Sequence, residues 1–171
     1  VAGGHVLTPS EVESAEGAVL SIEPDGSVLA SGTTPATDRY VVTLPTDLKG
    51  ITGLRLEALA DKRLPASGPG RVKHGNFVLS EVTLTAAAAG SKPRNIPLRN
   101  ATADFAQGKN GGDFPATAAI DGDLKTGWAV GGSLGSDHVL VLETAADVGE
   151  SGETTLTLVL EQQHGTEHTL G

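Results

Sequence analysis

The 171-residue sequence contains no cysteine. This excludes a disulfide framework, a thiolate metal site and covalent haem attachment through C-x-x-C-H. Aromatic residues are nearly as scarce: Tyr40, Phe77, Phe105, Phe114 and Trp128 are all there are, so the interior must be aliphatic, built from Val, Leu, Ile and Ala. Basic residues number 12 against 21 acidic ones, a formal charge of −9, and they are scattered. A nucleic-acid partner is thereby disfavoured, because phosphate backbones are bound by clustered Lys and Arg. No stretch approaches the ~20 apolar residues of a membrane helix, so no membrane span is expected. Long helices are excluded as well, since 23 Gly and 9 Pro divide the chain into short pieces. The chain opens at Val1 with neither an initiator methionine nor a basic-then-apolar leader, the aspect of a piece taken from a larger protein.

What the sequence does contain is short apolar alternation, the period-two signal of half-buried strands. Tyr40, Val42 and Leu44 share one face, Leu54, Leu56 and Ala58 another, and Leu156, Leu158 and Leu160 a third. Further runs are Ala18 to Glu23, Ser27 to Ala30, Asn76 to Thr85 and Asp137 to Glu143. Pro24-Asp25-Gly26 sits between two of these runs at hairpin spacing, where Asp and Gly tolerate positive φ. Leu64 to Gly70 carries two prolines and two glycines and reads as a loop. Ala86 to Pro93 reads as a connector between two halves, about 1–88 and 95–171. Two separate domains of ~80 residues would have thin cores, so the expectation is one all-β domain over 1–171, an antiparallel β-sandwich or jelly roll.

Candidate chemistry is concentrated in loops. Arg71, His74 and Asn76 follow Gly68-Pro69-Gly70 and offer donors to sugar hydroxyls or a carboxylate; the structural alternative has Arg71 paired with a carboxylate in a rigid loop. Asp121 and Asp123 straddle Gly122, a spacing that lets two carboxylates approach one hard cation, with calcium the ion expected. The alternative is an Asx-turn in which Asp121 caps its own loop. His164-Gly165-Thr166-Glu167-His168 spells the H-x-x-E-H of one zinc protease class, but Gly165 and Thr166 are poor helix formers and the chemistry needs a helix. Gly131-Gly132-Ser133-Leu134-Gly135, with Asp137 and His138 behind, matches Gly-x-Ser-x-Gly. That motif needs a strand before the serine and a helix after it, whereas here a glycine-rich loop leads into a strand. With no P-loop or dinucleotide fingerprint, the expectation is that the chain is not an enzyme.

Ala101-Thr102-Ala103, then Ala119-Ile120-Asp121-Gly122 with Thr126 and Trp128, then Val139 to Glu143, follow one another in an order that resembles discoidin-type (coagulation factor 5/8 C-terminal) domains. The resemblance implies a galactose-binding-like jelly roll. Two roles are open to Trp128: a core residue beneath the ligand-facing loops, or a stacking platform for a sugar. A second resemblance joins Asp25 to Gly32, Ile51 to Leu59, Gly68 to Arg71 and Gly75 to Glu81 to the Asp121–Trp128 stretch. These segments are similar to an extra domain of large planctomycete cytochrome-c-like proteins. That likeness implies an exported parent, periplasmic, cell-surface or extracellular, with neighbouring domains as partners and no haem in this chain. The functional expectation is a non-catalytic module binding a polysaccharide or other glycan through Arg71, His74, Asn76 and Trp128. The alternative is a structural or protein-interaction sandwich.

Overall fold

The computed structural model describes residues 4–150 and 152–171. Its strands are β1 (Glu11–Ser14), β2 (Ala18–Ile22), β3 (Val28–Gly32), β4 (Asp38–Thr46), β5 (Ile51–Ala58), β6 (Val78–Leu79), β7 (Glu81–Ala88), β8 (Arg94–Ile96), β9 (Leu98–Ala103), β10 (Trp128–Ala129), β11 (His138–Val148) and β12 (Thr154–Gln162). The longest helical piece among the described residues is a 3-10 segment, Ala116–Ile120. No helix there is long and apolar enough to cross a membrane.

The protein is an all-β antiparallel sandwich. One sheet has the order β1-β4-β12-β7-β8 and a second the order β5-β11-β9, with two-stranded pairs β2-β3 and β6-β10 beside them. Strand β12 joins the halves of the chain: Leu156, Leu158 and Leu160 stand opposite Leu44, Val42 and Tyr40 on one side and opposite Ala86, Leu84 and Val82 on the other. These side chains form one face and meet Leu140, Leu142 and Val148 of β11 in a common core. Val42, Leu54 and Leu56 are only partly buried but pack against that core. Period-two alternation therefore locates the inward faces, as expected where one side of a sheet is covered.

The Pro24-Asp25-Gly26 turn connects β2 to β3. Asp25 Oδ1 accepts hydrogen bonds from Ser27 N at 2.9 Å and from its hydroxyl at 2.6 Å, and Gly26 has φ 85°, a region where a side chain is strained. The connector expected over Ala86 to Pro93 begins later than the sequence suggests. β7 runs to Ala88 because Ala86, Ala87 and Ala88 pair with Leu156, Thr155 and Thr154, so tertiary pairing overrides the helical preference of alanine.

The strand registers bring the segments after β5, β9 and β12 and those before β7 and β11 to one end of the sandwich. Residues far apart in sequence meet there.

Candidate functional site

Asn76 organises this end. Its Nδ2 donates to Gln107 Oε1 at 2.9 Å, and its Oδ1 accepts from Val130 N at 3.1 Å. Gln107 is itself anchored, its backbone N–H donating to Ala129 O at 2.8 Å and its Nε2 to Gly111 O. A Cβ added to Gly131 would lie 2.0 Å from Gln107 Oε1 and 3.0 Å from Asn76 Nδ2. Glycine at 131 is thus what lets the backbone pass over the amide pair.

Above this floor opens a cleft of about 680 Å³, lined by His74, Asn76, Gln107, Gly131, Gly132 and His168, with Gly108, Asn110, Gly111 and Leu134 at its margins. Among the described residues, the N–H groups of Gly131 and Gly132 meet no protein acceptor. A second hollow of about 520 Å³ lies at the opposite end, between the His5–Thr8 segment and the Thr46–Leu48 turn. It contains none of the site candidates drawn from the sequence, and its volume is smaller.

Three imidazoles gather at the cleft. The His74 and His168 ring centroids are 5.3 Å apart, those of His164 and His168 5.1 Å, and Phe114 stands edge-on to His164 at 5.6 Å. His168 Nδ1 lies 3.1 Å from Thr166 O and 3.3 Å from Gly165 O. Carbonyls only accept, whereas the Thr166 hydroxyl, 2.9 Å from the same nitrogen, can donate or accept. Burial holds the His168 imidazole below its ordinary range, and His164 and His74 push the same way against hydrogen bonds to Gly165 and Thr166. The H-x-x-E-H segment is a turn, with Thr166 at φ 52° and Glu167 at φ 66°, so it does not present its histidines in the helical manner of a zinc protease. Among the described residues no three His, Asp or Glu side chains are arranged to hold a metal ion.

Two residues expected to bind ligand are elsewhere. Arg71 is 6% exposed and turns inward, Nη2 donating to Gly32 O at 3.0 Å. It forms no ion pair with a carboxylate among the described residues, and its Nη1 is buried without a partner. Both readings of Arg71 are therefore corrected: the loop pairs with the segment after β12, Arg71 N donating to Thr169 O at 2.8 Å and Gly70 bridging to Leu170, and the guanidinium is taken inside. Trp128 is fully buried. Its ring meets Phe77 edge-on at 5.1 Å, and Nε1 donates to Phe105 O at 2.8 Å. A ring with neither face exposed offers no sugar platform, so the stacking role is corrected to a core role.

The Asp121–Asp123 turn holds itself. Asp121 Oδ1 accepts from Asp123 N at 2.9 Å and Oδ2 from the Thr126 hydroxyl at 2.7 Å, while Asp123 Oδ1 accepts from Lys125 N at 2.9 Å. Glu81 reaches the same turn from β7, accepting from Gly122 N at 2.9 Å. Burial, with Asp121 nearby, raises the Glu81 carboxyl above its usual value against that N–H bond. This is Asx-turn geometry.

The Gly-x-Ser-x-Gly segment hides a relationship the sequence does not reveal. His138 Nδ1 lies 3.0 Å from Asp104 Oδ2, and Nε2 faces the backbone carbonyl of Ser133 rather than its hydroxyl. Desolvation raises the Asp104 carboxyl, but the Val139 N–H and His138 outweigh it and hold the group below its usual value. His138 is 2% exposed, so the acid and imidazole fasten the loop to β11 rather than activating the serine.

Fold and site together define an antiparallel β-sandwich with a cleft among its end loops. The chain matches no protein-family model, no curated protein and no solved structure.

Proposed function

We propose that this chain is a non-catalytic glycan-binding module of a larger exported protein, with a galactose-binding-like jelly roll as its fold. The all-β sandwich is compatible with that fold. The observation that carries the reading is the cleft in which His74 and Asn76 meet Gln107, Gly131, Gly132 and His168. Such loops vary without disturbing the strands that hold them, so recognition belongs there. Amide, imidazole and free backbone N–H groups supply hydrogen bonds to hydroxyls. With no Trp, Tyr or Phe in the lining among the described residues, stacking contributes little and affinity is weak.

The same want of an aromatic platform favours the second reading, a protein-interaction sandwich. Calorimetric titration with acidic and neutral polysaccharides, for the wild type and His74→Ala, separates the two. Glycan binding weakened by His74→Ala supports the first reading, and absence of binding to every glycan supports the second.

A further inference from the structure

The chain carries 21 acidic residues and a formal charge of −9, yet among the described residues no Asp or Glu lines the cleft. What lines it is neutral amides, glycine backbone and two imidazoles, with a third imidazole, His164, beside them. In a protein this acidic, a carboxylate-free hollow removes the repulsion that would otherwise face an anion. Gly131 and Gly132, whose N–H groups meet no acceptor among the described residues, belong to the same lining, and such donors receive oxyanions well because the acceptor's charge strengthens each bond.

We infer that the cleft selects acidic polysaccharides, whose carboxylate or sulfate groups are received by the Gly131 and Gly132 N–H groups and by the imidazoles of His74 and His168. This rests on the glycan reading and names the class of glycan. The His168 imidazole has one donor and one acceptor nitrogen when neutral; once protonated it donates from both and adds positive charge. The titratable neighbours acting on it are His164, on its own loop, and His74, on the loop before β6. Glu167 and Lys73 flank this cluster in sequence as exposed residues, and the Glu167 N–H turns toward Ala36 O. Anion binding therefore strengthens as acidification protonates His168, a step that burial places below the ordinary imidazole value of about 6.5.

The test uses polygalacturonate, dextran sulfate and neutral dextran, titrated against the full chain at pH 7.5 and pH 5.5. Variants are Asn110→Asp, which adds one negative charge at the exposed margin without changing shape, and His5→Gln, which removes an imidazole at the opposite end. The expected result is binding of one or both acidic polymers, stronger at the lower pH, unchanged by His5→Gln and weakened about five- to tenfold by Asn110→Asp. Dextran bound as tightly as the acidic polymers, or acidic binding indifferent to both pH and Asn110→Asp, overturns the inference while leaving the glycan reading intact. If no polysaccharide binds, the glycan reading itself fails and the inference with it.

Discussion

Asn76 and Gln107, 31 residues apart in sequence, are joined by an amide–amide hydrogen bond of 2.9 Å that runs directly beneath Gly131. The pair couples the loop before β6 to the segment after β9, and Val130 N adds the segment after β10. Three lengths of chain are thus fixed to one carboxamide.

Replacing Asn76 by Ala leaves the Val130 N–H and the Gln107 carbonyl without their partner, which costs about 1–3 kcal/mol for each group that stays buried and unpaired. Gly131→Ala forces the same pair apart from above, because its Cβ has no room. Urea denaturation should give a lower midpoint for both variants. Stabilities equal to wild type would mean that the amide pair does not hold the cleft floor.

Trp128 is the only tryptophan, so its fluorescence reports one site. Buried against Phe77, it should emit at short wavelength, resist quenching by acrylamide and show no change on addition of any glycan. Trp128→Ala should cost about 3–5 kcal/mol. Ready quenching in the folded protein would contradict the core role.

Arg71→Ala removes a buried guanidinium and leaves the Gly32 carbonyl without its donor. A lower melting temperature is expected, with ligand affinity unchanged under conditions where the variant remains folded. Loss of affinity without loss of stability would return Arg71 to the binding surface.

His168 makes stability pH-dependent with a definite sign. Its folded-state value is depressed, chiefly by burial, so on acidification the unfolded chain takes up its proton first. The contribution is present in full above about pH 6.5 and is lost as pH falls through the folded-state value. Denaturation at pH 7.5 and 5.5 should show a larger loss for wild type than for His168→Gln; equal losses would assign the acid sensitivity to other groups.

The Asp121–Asp123 turn is closed by its own N–H and hydroxyl donors. Melting temperatures in excess calcium and in chelator should therefore agree. A clear rise with calcium that disappears in Asp121→Asn would establish a cation at the turn.

The sequence made the strand faces legible because alternation is local. Tyr40, Leu44, Leu156, Leu158 and Leu160 are buried on the parity their spacing predicts. Strand order was not legible, since nothing near Leu158 announces Val42 on one side and Leu84 on the other. Of the site, His74 and Asn76 could be picked out from a glycine-rich loop. Gln107, Gly131 and His168 joined them only through folding, and a separation of 94 residues between His74 and His168 leaves no trace in local pattern. Arg71 misled because burial of an unpaired guanidinium is rare, and Trp128 because a tryptophan after a polar turn suits exposure and burial alike.

Strand β12, near the end of the sequence, lies between β4 and β7, pairing with β4 from Thr154 opposite Thr46 to Gln162 opposite Asp38. During synthesis β4 and β7 leave the ribosome well before the strand that joins them. Until it arrives, each presents an open ladder of N–H and C=O groups that another chain's strand could fill. Folding is accordingly committed late, through pairings of long sequence separation that make it slow. Its vulnerable species is the nascent chain lacking β12.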